Sequence, residues 1–132
     1  MRTVLKTEKA PAPVGTYNQG IIIEGGKLLF TAGQIAIDPG TNEVIHGDVR
    51  TQTRLVLQNL REVLRAAGTD MSNMVKVTVF MTDLKHFGTV NEVFEEFFPD
   101  EPPARSAFQI SALPKGVDIE IEGIAFIPNE TG

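Results

Sequence analysis

Val75-Lys76-Val77-Thr78-Val79-Phe80-Met81 is the stretch that decides the fold. Its side chains alternate with the period of two that a strand requires. The stretches on either side keep a different period. Before it, Val49, Thr53, Val56, Leu57, Leu60, Val63, Leu64 and Ala67 recur at steps of three and four, predicting an amphipathic helix over residues 48–67. Asp48 is its expected N-cap and Gly68 its expected stop. After it, Phe87, Val90, Phe94 and Phe97 line one side of a second helix over residues 84–98, with Pro99 just beyond.

Working outward, residues 3–5 are β-prone, Ala10-Pro11-Ala12-Pro13 is a connector, and residues 17–23 read as a strand. Glu24-Gly25-Gly26-Lys27 has the glycines of a tight hairpin. Residues 28–32 and 34–37 follow as strand pieces broken by Gly33, which marks a bulge or a close backbone approach. Asp38-Pro39-Gly40-Thr41-Asn42 is a turn by composition. Residues 104–111 and 117–127 are the last strands, with Pro114 and Gly116 at the favoured positions of a type I turn between them. Strands, helix, strand, helix, strands predict an α+β chain: a single mixed β-sheet with two helices packed on one face. The other face then needs cover. Ile119, Ile121 and Phe126 suit a buried sheet, and self-association is the simplest cover for a domain this small.

At 132 residues, 1–132 reads as a single domain with an ordinary share of hydrophobic residues, 42%. The absence of cysteine removes disulfides, thiolate metal sites and cysteine nucleophiles, and fits a cytoplasmic protein. Residues 1–9 hold no apolar run that could serve as a signal peptide, and no segment approaches the ~20 apolar residues of a membrane span. The net charge of −5 argues against a general nucleic-acid binder.

Two charges stand where core strands do not want them. Arg105 heads one of the last strands and Glu120 sits within the other. Such a pair is more often a structural ion pair than a site, and strand register decides between them. A symmetric hairpin centred on Pro114 puts Arg105 opposite Gly123 and Glu120 on the other face; a one-residue offset or a bulge puts both on one face. Tyr17, the only tyrosine, either caps the core or flanks a ligand. His46 and His86 are too isolated for a metal site. Ser72, Ser106 and Ser111 lack a nucleophile elbow and a neighbouring base. Arg50, Arg54, Arg61 and Arg65 form one stripe of the first helix, more often a solvated face than a nucleic-acid surface.

Taken together, Lys9–Gly20, Thr31-Ala32-Gly33-Gln34-Ile35, Val75–Phe80, Val90-Asn91, Pro103-Ala104-Arg105-Ser106 and Ile119–Ala125 resemble the Rid family of reactive-intermediate deaminases, also called YjgF, in order and spacing. The resemblance implies a chorismate-mutase-like fold, a homotrimer and ligand clefts between subunits. It implies hydrolysis of enamine and imine intermediates, such as 2-aminoacrylate and 2-iminobutanoate, to 2-oxo acids and ammonia. That activity would protect pyridoxal-phosphate enzymes in the cytoplasm. It makes Arg105 the anchor of the substrate carboxylate, Glu120 the acid that handles water or proton, Tyr17, Gly33 and Asn91 cleft residues, and Ala107 a backbone contact. Three positions depart from the family pattern: Thr16 for proline, Ala32 for serine and Ala107 for cysteine.

The residue types suit that chemistry. A guanidinium holds a carboxylate in a bidentate fork, and one carboxylate can relay both protons of imine hydrolysis. The activated substrate requires neither metal nor cofactor. Two other readings stay open: a module that binds small 2-oxo acids without turnover, and an RNA-directed ribonuclease or translation inhibitor resting on the arginine stripe.

Overall fold

The computed structural model describes residues 1–129 of the chain. In order they form β1 (Arg2–Leu5), β2 (Gly20–Ile23), β3 (Lys27–Phe30), α1 (Val49–Ala66), β4 (Met74–Met81), α2 (Phe87–Phe97), β5 (Ala104–Gln109) and β6 (Ile119–Ile127). The architecture is α+β. A mixed sheet of four strands runs β3-β6-β4-β5, with β4 and β5 parallel and the other neighbours antiparallel. β1 and β2 form a separate antiparallel ladder, joined to the β5 edge by a bridge between Asn18 and Ala104.

The helix before β4 starts and stops where expected. Asp48 Oδ1 accepts from the Thr51 N–H at 2.8 Å, capping α1. At the other end Gly68 takes φ +85°, the Gly68 N–H reaches the Arg65 carbonyl, and the Thr69 N–H reaches that of Leu64. These bonds make a Schellman motif, which satisfies carbonyls the helix would otherwise leave bare. Val56, Leu57, Leu60 and Leu64 of α1 and Val90, Val93 and Phe94 of α2 pack in one core with Val77, Val79, Ile119 and Ile121 of the sheet. Alternation in β4 and β6 therefore gives the sheet a helix face and an open face.

Local signals misjudged two connections. Gly25 and Gly26 do take left-handed backbone, φ 72° and 71°, but the strands they join do not pair. β2 pairs with β1, while β3 pairs with β6, where Leu29 packs against the core. Pairing with β6 places Leu29 beside Ala125, partly buried against the core. Likewise β5 and β6 are not a hairpin, because β4 lies between them. The segment joining them crosses the end of β4, with Ile110 N–H on the Met81 carbonyl and Thr82 N–H on that of Asp118. Lys115 there has φ 59° and ψ 15°, a left-handed residue that a type I turn does not contain. Residues 34–37 make only the isolated bridges Gln34–Ile121 and Ile37–Val44.

Candidate functional site

Arg105 is the second residue of β5, in register with Val77 of β4, so its side chain leaves the sheet on the helix face. There the guanidinium lies among three aromatic rings. Its Cζ is 5.0 Å from the centroid of Tyr17, 5.2 Å from Phe87 and 5.1 Å from Phe94. Such a cage stabilises a cation through the ring faces without supplying an acceptor. Nη1 and Nη2 are both buried and have no hydrogen-bond partner among the described residues. Burial lowers the pKa of the group from the usual arginine value, with Tyr17 acting the other way. Arginine nevertheless stays charged. A desolvated cation with two aligned, idle donors is a receptor for an anion.

Glu120 belongs to a second cluster. It is in register with Phe80, three residues from Val77 along β4, and so leaves the sheet on the open face. Its carboxylate leans over Gly33, where a built Cβ would collide with Oε2. The approach is made possible by a bulge. Thr31 N–H bonds to the Gly123 carbonyl, and the next paired residues are Gln34 and Ile121. Three steps on one side face two on the other, so one residue is extra around Ala32–Gly33. The glycine that interrupts the strand pattern in the sequence is this bulge.

Strand parity separates the two groups. Arg105, Val77 and Gly123 lie in one row on the helix face, whereas Glu120 and Phe80 lie on the opposite face. The condition that both side chains turn to one cleft is not met within one chain. With Arg105 lie Tyr17, Asn91 and Ala107. Asn91 of α2 accepts from Thr16 through its side chain and its main chain. Ala107 is in register with Val79 on the same face, and its strand is the edge of the sheet. With Glu120 lies Gly33. Phe87 and Phe94 are the residues that sequence reasoning missed at this site: their helical spacing marks core, and nothing local distinguishes a core ring from a cage ring.

The other candidates dissolve into the fold. Arg50 pairs with Glu92, Arg54 Nη2 lies 3.0 Å from both Glu96 oxygens, and Arg65 lies 3.3 Å from Asp70. Arg61 stacks 5.3 Å over Phe97. Arg50, Arg54 and Arg61 thus dock α1 on α2, while Arg65 holds the segment that follows α1. Among the described residues no three His, Asp or Glu side chains gather closely enough to hold a metal ion. Nor is any described helix long and apolar enough to cross a membrane.

Residues 7–127 match the family described as Endoribonuclease L-PSP, which spans nearly the whole chain. This chain belongs to the Rid, or YjgF, family. The 2-iminobutanoate/2-iminopropanoate deaminase of Rattus norvegicus is 44% identical over 125 residues, 95% of this chain and 90% of the rat protein. RidA from an Antarctic Psychrobacter shares the fold with a TM-score of 0.74 at 40% identity, over 95% of this chain and 99% of that one. TdcF from E. coli, solved with bound serine, gives a TM-score of 0.73 at 41% identity, over 95% and 98% of the two chains.

Proposed function

We propose that this Rid protein hydrolyses 2-imino and 2-enamino acids, 2-aminoacrylate and 2-iminobutanoate among them, to 2-oxo acids and ammonia. The observation that carries the reading is the caged Arg105 guanidinium with two idle donors. The deaminase name of the rat relative supports the reaction, and the serine held by TdcF supports a small amino-acid-like ligand.

In this reading Arg105 takes the substrate carboxylate in a bidentate fork and fixes C2. An enamine first gains a proton from solvent at its terminal carbon and becomes the iminium ion, the protonated form of the imine. Water then adds to C2 as Glu120 accepts its proton, giving a carbinolamine. Glu120 returns the proton to nitrogen, the C–N bond breaks, and the carbinol O–H proton passes back to the carboxylate as the 2-oxo acid forms. Ammonia leaves, and the proton follows it to solvent. Tyr17, Asn91 and the Ala107 backbone line the anchor side, and Gly33 lines the acid side.

Because Arg105 and Glu120 occupy opposite faces of the sheet, one cleft needs Arg105 from one copy and Glu120 from another. The open face offers a surface for such an assembly, since Phe30, Phe108 and Leu28 are 68%, 51% and 45% exposed on it. We take the assembly to be the family's homotrimer, a closed ring with three such clefts.

A dehydratase acting on threonine would generate 2-iminobutanoate, and its decay would be timed with and without the protein. Accelerated release of 2-oxobutanoate is expected. An unchanged decay with firm 2-oxobutanoate binding would support a binding module instead. The RNA-directed reading is weakened in the arginine stripe, where Arg50, Arg54 and Arg65 are paired with Glu92, Glu96 and Asp70 and Arg61 lies over the Phe97 ring.

Gly33→Ala tests the acid side by geometry alone. The added methyl displaces Glu120 from its resting place, so kcat should fall about tenfold or more while affinity for 2-oxobutanoate holds. An unchanged kcat would mean that the Glu120 position does not matter to turnover.

A further inference from the structure

Resting on the reading of Arg105 as the carboxylate anchor, we infer that residues 14–17 form a lid that shuts the anchor, and that Thr16 is the positioning residue that latches it. The guanidinium is not merely unpaired. It is covered. A Cβ on Gly15 would stand 2.8 Å from Arg105 Nη2 and 2.7 Å from Asn91 Oδ1, so the bare glycine backbone already lies against the fork. Nη1 and Nη2 are both buried, and the segment lies against Nη2, so a bidentate carboxylate needs it to move.

The segment is anchored on both sides, and in the middle it is held by the Tyr17 ring over Arg105 and by two hydrogen bonds from Thr16. Before it, the Gln19 side chain donates to the carbonyls of Thr7, Ala10 and Pro11 and accepts from the Thr7 N–H. After it, Asn18 donates to Pro102 and Pro103 carbonyls at 2.7 and 3.0 Å. Between these anchors the hydrogen bonds to the body of the fold come from Thr16. Its N–H reaches Asn91 Oδ1 at 3.4 Å and its hydroxyl reaches the Asn91 carbonyl at 3.3 Å. Both are long, which suits a contact that releases. Val14 N–H bonds to the Tyr17 hydroxyl at 3.1 Å, so residues 14–17 can move as a unit. A cavity of about 510 Å³, bordered by Thr7, Ala12, Pro13 and Gln19 among others, leaves open space next to the segment. The latch competes with the ligand, because Gly15 lies where an anion must approach.

The test reads access to Arg105 directly. The full-length protein and its Thr16→Val and Thr16→Ser variants would be treated with phenylglyoxal, and modification of each arginine followed by peptide mass spectrometry. In the wild type, Arg105 should react far more slowly than Arg54. Thr16→Val loses the hydroxyl and should speed reaction at Arg105 by about two- to tenfold, the span of one net hydrogen bond. Arg2 and Arg54 should keep their rates, and Thr16→Ser should resemble the wild type. Affinity for 2-oxobutanoate should tighten by the same factor in Thr16→Val. An Arg105 rate indifferent to Thr16→Val, or all arginines speeding up together, would overturn the lid. If 2-oxobutanoate fails to protect Arg105 while the rates still follow the latch, the anchor reading falls and the lid stands.

Discussion

Arg105→Ala is expected to lower kcat/KM for 2-iminobutanoate by at least about a hundredfold, because nothing else near the cage can hold the carboxylate as a planar fork. The fold should survive. In the native protein the guanidinium is desolvated, and its Nη1 and Nη2 atoms make no hydrogen bonds to the described residues. Its three ring contacts offset part of that desolvation. Truncation removes both terms, so stability should change by no more than about 1–2 kcal/mol in either direction. Arg105→Lys should also lose most activity, since an ammonium presents a point charge rather than a fork. Urea unfolding and the dehydratase-coupled assay read the two quantities separately. Near-normal activity in Arg105→Ala would sink the anchor.

Glu120→Gln should act on turnover rather than on binding. The amide keeps the size of the carboxylate but cannot accept a proton from the attacking water. Loss of a positioned general base costs about a hundredfold to ten-thousandfold in rate, and kcat should fall within that span. Affinity for 2-oxobutanoate should stay within a few-fold, because the carboxylate anchor lies elsewhere. An unaltered kcat would leave Glu120 without a chemical role.

The elements whose contacts are local were legible in advance. Asp48, the apolar stripe and Gly68 specify α1 within its own sequence, and the alternation of 75–81 specifies β4. Gly33 likewise signalled its bulge. Strand neighbours were less legible, because pairing is chosen by burial across the whole chain. Pro114 and Gly116 predict a turn, yet no local signal tells that β4 will slip between β5 and β6. The same gap hid the relation between the two charged residues. Their parity depends on the registers Val77↔Arg105 and Phe80↔Glu120, both set through β4. Arg105 and Glu120 could be put forward as site residues from their residue types and family spacing. The cage around Arg105 was not, since Phe87 and Phe94 follow the ordinary pattern of a helix core.

Separation of the two groups on opposite faces of one sheet leads to the claim on which the proposed function depends, that each cleft joins two copies of the chain. Mixing Arg105→Ala protein with Glu120→Gln protein, after unfolding and refolding them together, tests it most directly. Each variant alone should be inactive. In a random mixture, a cleft that takes Arg105 from a Glu120→Gln copy and Glu120 from an Arg105→Ala copy has both native residues. About one cleft in four should be of this kind, returning about a quarter of wild-type activity. No recovery from the refolded mixture would contradict a cleft shared between copies.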